Sequence, residues 1–553
     1  MALKKGKGLA NRWSRQRIVE ESDQSGHEYH PNQMENPSKN QFFVALLWIA
    51  VLGSMWTWPG RTSAQQFKTL YSFTLAPFPN QNNSDGRNPD AGLFLAGNML
   101  FGTASSGGQN SVGTLFGLNT DGSGFTPYFS FSPAADATNR DGGTPLSPVV
   151  FTGSALIGTA SGYGTNSNGT VYELSLATGP KVLHTFTGSG SYGTNFDGSY
   201  PAGGLVLSGT SLYGTAEGDG AGGCGTVFKM DDTSLIFTNL HSFAALNTNR
   251  LFVYTNGEGA FPQAGLVLSG NILYGTASAG GSNGNGTIFS MNTNGTGFTT
   301  LHHFGPLVTD FSGVEGFETN GDGATPLASL VLTNNTLFGV ASAGGLHGNG
   351  TVFSLGTNGM GFTVLHTFAP GSQDIALESL GHVFTNSDGA TPSGNLVVSG
   401  GILYGTASDG GTNANGTIFS LATNGAGFAT LYTFSATDTN SIGIFTNVDG
   451  VEPLGGLILS SNVLYGTAAF GGNESDGTVF SLSLSPQIGI VRSGTNVILT
   501  WTTNVTEFTL ESTTNLAPTA NWVTSSIAPI ILNGQYALTN SISGGQKFFR
   551  LSQ

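Results

Sequence analysis

GLVLSGNILYGTASAGGSNGNGTIFSMNTNGTGFTTLHHF, residues Gly265–Phe304, is the stretch that decides the fold. The runs between its breaks are short and rich in β-branched or aromatic residues, which favours strands. The breaks carry Gly or Asn, which tolerate positive φ, and Asn294-Gly295 is typical of a hairpin turn. The stretch therefore predicts four short strands, at Leu266–Ser269, Ile272–Ser278, Thr287–Asn292 and Phe298–Phe304.

Two motifs of this stretch recur seven times, at a spacing of 56 to 66 residues. The second-strand motif lies at Phe101–Ala104, Ile157–Ala160, Tyr213–Ala216, Tyr274–Ala277, Phe338–Ala341, Tyr404–Ala407 and Tyr465–Ala468. The third-strand motif lies at Gly113–Phe116, Gly169–Tyr172, Gly225–Phe228, Gly286–Phe289, Gly350–Phe353, Gly416–Phe419 and Gly477–Phe480. This spacing is typical of a β-propeller blade with a long loop.

The fourth-strand motif also occurs seven times, but it is displaced along the chain. One copy, Leu70–Phe73, precedes the first repeat, and none follows Thr478–Leu484. We expect Phe67–Phe73 to supply the outer strand that the last blade lacks, because this pairing leaves no open terminal edge. The sequence thus predicts an all-β chain whose residues 65–484 form a seven-bladed β-propeller closed by an N-terminal outer strand.

The amino-terminal segment 1–64 is typical of a signal peptide. A basic head precedes the apolar run Phe42–Trp56, and small residues up to Ala64 offer a cleavage site. Cleavage is favoured over an uncleaved anchor, since the apolar run is short for a membrane span. Met34 is an alternative start. The prediction is an exported protein, secreted or cell-surface associated, with no membrane-spanning domain after cleavage.

The carboxy-terminal segment 485–553 departs from the Gly-rich period. We predict strands at Ile488–Arg492, Val497–Thr502, Glu507–Ser512, Asn521–Ser525, Gln535–Thr539 and Lys547–Leu551. The alternation in the second of these, with its Trp, fits a small immunoglobulin- or fibronectin-like β-sandwich. A role as spacer or cap is favoured over ligand binding.

Charge and cysteine content exclude several functions. The chain has 17 Lys and Arg against 32 Asp and Glu, a net charge of −15, and loss of the basic leader makes it more negative. Such a charge disfavours nucleic acid and anionic lipid as partners. Cys224 is the single cysteine, so no intramolecular disulfide is available. A monomer is expected.

The repeat residues carry a family resemblance. LYGTAS-x-GG, NGTIFS and TNG-x-GF-x-x-LH-x-F resemble the repeat of the choice-of-anchor tandem repeat GloVer-containing proteins, over Phe67–Leu484. This resemblance implies an exported, variably anchored bacterial protein and assigns no catalytic residue. The run ILTW…EFTLESTTNL…NWV resembles fibronectin type III modules.

One predicted rim of the propeller is the candidate binding surface. The loops from second to third strand and from fourth to next first strand share this rim, and they hold the length variation and most of the acidic residues. The alternative is that loops are simply polar. The candidate rim residues are Glu217, Asp219, Asp310, Glu315, Glu318, His347, Asp374, Glu378, His382, Asp409, Asp438, Glu474 and Asp476.

A motif Asn-x-Asp-Gly-x-x-Pro recurs in the fourth-to-first loops, as at Asn320–Pro326. Local backbone bonding by Asn and Asp predicts an Asx turn here, which we favour over a calcium site within one loop. No cofactor is predicted, and Ca²⁺ shared between adjacent loops is the alternative. The fourth-strand residues His184, His241, His302 and His366 alternate with Tyr, which favours ring packing at a blade edge over a metal site.

Two functions remain open from the sequence. The first is a non-enzymatic binding or adhesion protein that engages an extracellular polysaccharide or a surface protein through the acidic rim. The second is a polysaccharide-active hydrolase or lyase, with paired carboxylates from separate loops. Near-identical repeats without a unique acid and base favour binding, and the chain has no Walker or H-E-x-x-H motif.

Overall fold

The computed structural model describes residues 66–552 except 137, 176–177, 191–193, 249–252, 311–316, 374–383, 440–443, 485–487, 503–507, 517–520, 533–534 and 542–545. The predicted signal peptide lies outside the described residues. In this described part the protein is all-β. No helix of these residues has the length and apolar character needed to cross a membrane.

The repeat region consists of short antiparallel strands whose bounds follow the sequence motifs. In chain order they are β1 (Phe67–Ser72), β2 (Phe94–Ala96), β3 (Met99–Ala104), β4 (Thr114–Asn119), β5 (Thr126–Ser130), β6 (Val150–Phe151), β7 (Leu156–Ala160), β8 (Thr170–Ser175), β9 (Gly179–Thr185), β10 (Val206–Ser208), β11 (Ser211–Ala216), β12 (Thr226–Asp231), β13 (Phe237–Ser242), β14 (Asn247–Thr248), β15 (Tyr254–Thr255), β16 (Val267–Ser269), β17 (Ile272–Ala277), β18 (Thr287–Asn292), β19 (Thr299–His303), β20 (Val308–Asp310), β21 (Phe317–Thr319), β22 (Val331–Thr333), β23 (Thr336–Ala341), β24 (Thr351–Gly356), β25 (Thr363–Thr367), β26 (Ser372–Gln373), β27 (Phe384–Thr385), β28 (Val397–Ser399), β29 (Ile402–Ala407), β30 (Thr417–Ala422), β31 (Ala429–Thr433), β32 (Asp438–Thr439), β33 (Phe445–Thr446), β34 (Ile458–Ser460), β35 (Val463–Ala468) and β36 (Thr478–Ser483).

These strands form seven four-stranded sheets in the described residues. Sheets 1 to 6 are β2–β5, β6–β9, β10–β13, β16–β19, β22–β25 and β28–β31, and sheet 7 joins β34–β36 to β1. Four connections between sheets carry an extra two-stranded hairpin, which the sequence patterns did not indicate: β14–β15, β20–β21, β26–β27 and β32–β33. The four strands predicted for Gly265–Phe304 are present within a residue of their expected bounds.

The amino-terminal strand completes the last sheet, as predicted. β1 runs antiparallel to β36, with Phe67 opposite Leu482 and Ser72 opposite Thr478. The Phe67 ring also stacks on Tyr432 of sheet 6, with ring centroids 4.0 Å apart. Residues about four hundred positions apart therefore share one hydrogen-bonded sheet.

The apolar cores lie between successive sheets. Each of seven buried clusters draws its residues from two neighbouring sheets, for example Tyr213 and Val227 with Leu273 and Phe289. One cluster contains Leu70 and Val479 of sheet 7 together with Leu93, Leu100 and Phe116 of sheet 1. The series of packed sheets thus returns from the seventh to the first.

The second-strand motif is explained by these contacts. A Cβ on Gly275 would lie 2.5 Å from the Phe289 ring, so the aromatic residue of the third strand requires glycine opposite it. The following Thr donates its hydroxyl to a carbonyl of the next sheet, as Thr215 does to Ala264 at 2.8 Å. Thr467 of sheet 7 makes the same bond to Ala91 of sheet 1 at 2.8 Å. In sheet 5 the buried Val340 takes this position.

The carboxy-terminal residues form two further antiparallel sheets. Their strands are β37 (Gly489–Ser493), β38 (Asn496–Thr502), β39 (Thr509–Thr513), β40 (Val523–Thr524), β41 (Ile530–Leu532), β42 (Gln535–Ser541) and β43 (Phe548–Ser552). The sheet orders are β37-β38-β42-β41 and β40-β39-β43, and the two share a small core of Leu499, Trp501, Leu510 and Leu538. Six of these strands were predicted, and β41 was missed.

Candidate functional site

Seven connections, here called crossing segments, lead from the outer strand of one sheet to the inner strand of the next. They are residues 83–92, 139–148, 195–204, 256–265, 320–329, 386–395 and 447–456. At the outer end, Thr300 of β19 donates its hydroxyl to the Gly257 carbonyl at 3.0 Å. At the inner end, residues from all seven segments line one cavity.

Each crossing segment begins with the predicted Asx turn. The Asn256 Oδ1 accepts bonds from the backbone N–H groups of Gly259, at 2.7 Å, and Gly281, at 3.1 Å. Its Nδ2 donates to the carbonyls of Gly259 and Ala244. The other six segments begin with the same Asn bonds. The motif Asn is therefore committed to turn geometry, which confirms the Asx prediction.

The carboxylate of the motif is also held by local hydrogen bonds. Asp322 accepts bonds from the Gly305 N–H and from His302 Nε2, both at 3.0 Å. Five other segments repeat this pairing between carboxyl and fourth-strand ring: Tyr71–Asp85, His184–Asp197, His241–Glu258, His366–Asp388 and Tyr432–Asp449. Backbone amides and fourth-strand rings therefore hold these motif carboxylates in place.

The same rings pack between repeats, as predicted. The His302 ring stacks on Phe362 of the next sheet with centroids 3.8 Å apart. Burial, and then the bond to a carboxylate, raise the pKa of Tyr71 and Tyr432. For His241, burial lowers the pKa despite the nearby Glu258. These groups contribute to the packing between neighbouring sheets.

A strained residue precedes the proline of every crossing segment. Its φ lies between 52° and 58° in all seven, although none is glycine: Asn88, Thr144, Tyr200, Phe261, Thr325, Thr391 and Glu452. The neighbouring sheets fix this conformation, since the Phe261 N–H donates to Cys224 and its carbonyl accepts from Ser278. Strained backbone held from both sides is a recurrent feature of binding sites.

The cavity at the inner ends of the segments, here called the central cavity, has a volume of about 100 Å³. The residue after each proline lines it: Asp90, Leu146, Ala202, Gln263, Leu327, Ser393 and Leu454. Most residues at the next two positions are small, and they pack closely. A Cβ on Gly456, for example, would lie 2.8 Å from Asn395. No sequence pattern indicated this cavity.

Asp90 is the carboxylate of the central cavity. Its Oδ2 accepts a bond from the Ser105 hydroxyl at 2.6 Å. Burial raises its pKa to about 6, against the opposing effects of that bond and of the Arg87 charge. The Arg87 side chain itself lies 3.5 Å from Asp476.

Some predicted rim residues lie near this region. The Glu217 Oε1 accepts a bond from the Gln263 Nε2 at 2.8 Å, and burial raises the pKa of Glu217. Burial also raises the pKa of Asp409 and of Asp476, the latter helped by the nearby charges of Asp85 and Glu474. Each of these three carboxylates accepts a local hydrogen bond, from Gln263, Ser408 and the Ala76 N–H respectively.

The remaining predicted residues are dispersed. Asp219 bonds Ser189 and Asn195, His347 is half-buried, and Glu318 and Asp438 are exposed on the extra hairpins. Glu315, Asp374, Glu378 and His382 lie outside the described residues, and only the strand position of Asp310 is described. Within the described ranges no three His, Cys, Asp or Glu side chains come together as metal ligands.

One face of the repeat region, here called the loop face, consists of the second-to-third and fourth-to-first loops of the predicted rim. It carries most of the exposed aromatic side chains. Among described residues of the repeat region these are Phe78, Phe196, Tyr200, Tyr254, Phe445 and Phe470, all in loops of the predicted rim. Phe196 is 71% exposed and Tyr254 is 63% exposed. Among the described residues of the repeat region outside these loops, Phe151 is the exposed aromatic residue. The exposed aromatic residues of the described repeat region are thus concentrated in these loops.

A family model of the Gloeobacter/Verrucomicrobia repeat matches the chain four times, at residues 60–252, 135–317, 245–381 and 377–517. No curated protein matches the sequence. Similar solved structures include an oligogalacturonate lyase from Vibrio parahaemolyticus, 10% identical over 76% of this chain and 97% of that chain, with a TM-score of 0.41. A Mycobacterium tuberculosis puromycin-hydrolyzing peptidase is 11% identical over 78% of this chain and 62% of that chain, with a TM-score of 0.38. A nidogen/laminin complex is 12% identical over 57% and 86%, with a TM-score of 0.31.

Proposed function

The chain belongs to the Gloeobacter/Verrucomicrobia repeat family, and we propose that it is an exported binding protein without enzymatic activity. We infer a seven-bladed β-propeller closed by β1, followed by a small β-sandwich. Support for the propeller comes from the Thr467 bond to Ala91 and from the shared core of sheets 7 and 1. Support for the sandwich comes from the core that the two carboxy-terminal sheets share.

The ligand would bind on the loop face. The observation that carries this proposal is the gathering of exposed aromatic side chains on that face. The repeated motif residues form turns and pack between sheets. Ligand contacts are therefore expected at the positions that vary between repeats. Tyr200 is such a position, since it combines an exposed ring with a backbone fixed at φ 55°.

The ligand class that fits this face is an extracellular polysaccharide that is neutral or cationic. Aromatic rings pack against the apolar faces of sugar rings, and polar loops supply hydrogen bonds to hydroxyl groups. The net charge of −15 disfavours a polyanionic chain. A surface protein as ligand and a hydrolase or lyase activity are the outcomes against which this proposal is tested.

The test combines a glycan array with an assay for released reducing sugar. We expect binding of a neutral or cationic glycan without sugar release. The double variant Phe196→Ala with Tyr200→Ala should weaken binding at least tenfold, about 1.4 kcal/mol, because exposed aromatic anchors dominate such interfaces. The matched control is Ile236→Ala with Met360→Ala, two exposed apolar side chains on the opposite rim.

Three results would reject the proposal. Sugar release by the intact protein would make it an enzyme. Equal loss of binding in the control variant would place the ligand elsewhere. Binding to a surface protein with no glycan bound would change the ligand class.

A further inference from the structure

The two carboxy-terminal sheets differ in width. The sheet β37-β38-β42-β41 has four strands, whereas the sheet β40-β39-β43 has three in the part of the chain that the structure describes. Residues 525–529 join β40 to β41, so these two edge strands lie on the same side of the shared core. The edge strands β37 and β43 therefore border its other side, where the narrower sheet places no strand over β37.

Ile490 of β37 shows that this side is uncovered. It pairs with Leu499, which is buried in the shared core, and directly opposite residues of an antiparallel pair project to the same face. Ile490 thus lies on the inner face of its sheet, yet it is 58% exposed. Ile488, two positions earlier on the same face, packs against the core. Ile490 therefore lacks the cover that a further strand beside β43 would give it.

The strand β43 has an unpaired edge on that side. Its five residues, Phe548–Ser552, pair with β39, and no other described strand pairs with them. Phe549 and Leu551 pack against the shared core but are only partly buried. An unpaired edge presents N–H and C=O groups that can bond a further strand. This edge of β43, together with Ile490, is here called the open edge.

Two cationic side chains flank the open edge. Arg492 pairs with Val497 and so projects to the same inner face as Ile490. The Lys547 Nζ lies 5.5 Å from the centre of the Phe549 ring. Neither cation forms an ion pair among the described residues. The open edge is therefore both apolar and positively charged.

Both cations lie at the same end of the open edge. Asn496 pairs with Ser493 of β37 and with Ser541 of β42, which places Arg492 near the carboxyl end of β42. The chain passes from that end through a short connection to Lys547, at the amino end of β43. The positive charge is thus concentrated at one end, and the apolar residues lie along the rest.

We propose that the open edge binds an extended segment of another protein as an added strand along β43. Main-chain hydrogen bonds hold such a strand, and apolar side chains at its alternate positions cover Ile490 and Leu551. The strands of these sheets pair antiparallel, so the carboxyl end of the segment lies near Lys547 and carries acidic residues that meet Lys547 and Arg492. A second copy of β43 fits less well, because it brings like charges to the same edge. This inference does not rest on the proposed glycan binding.

Fluorescence anisotropy with labelled synthetic peptides and the full-length protein tests the proposal. The acidic probe is Val-Thr-Ile-Thr-Val-Glu-Glu, with an amidated carboxyl end. One comparison peptide replaces both Glu by Lys, and the other replaces the Ile by Pro, which lacks the N–H needed for strand pairing. We expect the acidic probe to bind about tenfold more tightly than either comparison peptide, because only it combines strand pairing with charge complementarity.

Variants at exposed positions locate the site. Ile490→Asp should weaken binding of the acidic probe about tenfold, because it removes an apolar contact and adds a like charge. The matched control is Ile530→Asp on β41, the opposite edge of the same sheet, where the residue is 66% exposed and binding should be unchanged. Lys547→Glu should reverse the preference between the acidic and the Lys peptides.

Four results would overturn the proposal. They are no binding of the acidic probe at millimolar concentration, equal affinity for all three peptides, an equal loss of binding in Ile530→Asp, and self-association of the wild-type protein that Ile490→Asp abolishes. The last would assign the open edge to a second copy. If Ile490→Asp does not fold, hydrogen exchange of the wild-type protein provides the second measurement. The acidic probe should then protect amides of Phe548–Ser552, and protection of Ile530–Leu532 instead would reject the open edge as the site.

Discussion

Thr467→Val should lower the free energy of unfolding by as much as Thr215→Val, although the two residues stand in very different places along the chain. Both hydroxyls are fully buried, and each donates to an Ala carbonyl of the next sheet at 2.8 Å. The Thr215 bond joins sheets 3 and 4, which are consecutive. The Thr467 bond joins sheet 7 to sheet 1, so it exists only if the series of sheets closes.

The expected magnitude follows from the lost bond. A buried carbonyl left without its partner costs about 1–3 kcal/mol. Steric misfit adds little, because Val340 already occupies the equivalent position in sheet 5 and is buried there. With an unfolding entropy of about 2.1 cal/mol/K per residue over about 400 residues, a loss of about 2 kcal/mol lowers the midpoint by about 2 °C.

Urea unfolding and calorimetry together resolve a change of this size. The control is Thr363→Val, whose exposed hydroxyl bonds the Gly361 carbonyl and whose removal should change stability by less than about 0.5 kcal/mol. If Thr467→Val behaves like this control while Thr215→Val is destabilising, sheets 7 and 1 do not pack together in solution. The inferred closed propeller would then be wrong.

Three further predictions concern single positions. Gly286→Ala should destabilise the protein by at least about 2 kcal/mol in urea, because φ is 99° and a Cβ would lie 2.6 Å from a carbonyl oxygen; a cost under 0.5 kcal/mol would contradict this. Phe362→Ala should cost about 2–3 kcal/mol through loss of the ring stacked on His302, and an unchanged urea midpoint would refute the inter-repeat stack. Asp90 has a pKa of about 6, above its ordinary 3.8, so the folded state holds an extra proton between these values and loses stability as pH rises through them. Asp90→Asn should therefore be more stable than the wild type above pH 6 and equal to it near pH 3, and the reverse order would show that Asp90 is not desolvated.

The repeat architecture could be predicted because each motif residue is enforced by a local contact. Gly275 is glycine because Phe289 lies against it, and the strand bounds of this repeat were right within a residue. The pairing of β1 with β36 was predictable for a different reason. One copy of the fourth-strand motif precedes the first repeat, and none follows the last. This offset shows that the last sheet lacks its outer strand and that β1 can supply it, whatever the distance along the chain.

The candidate site was much less predictable. The sequence shows that Asp322 lies in a loop, but not that the Gly305 amide and the His302 ring face its carboxylate. Acidic residues were therefore counted as rim charge when several of them are structural. Asp90 was overlooked because the cavity that it lines forms only where seven distant segments converge. A position after proline carries no signal of that convergence.

Motif positions and the variable positions before each proline can be distinguished by experiment, because they make different contacts in the fold. Motif residues such as Asn256 make backbone bonds on several sides, so their replacement should change stability first and binding only through unfolding. The residues before each proline have a fixed backbone but differ in side chain, from Asn88 to Tyr200 and Phe261. Replacing one of these side chains by another from the same set, such as Tyr200→Thr, keeps a residue that the strained conformation already accepts in other repeats. A change in binding without a change in the unfolding midpoint would then identify the side chain itself as a ligand contact.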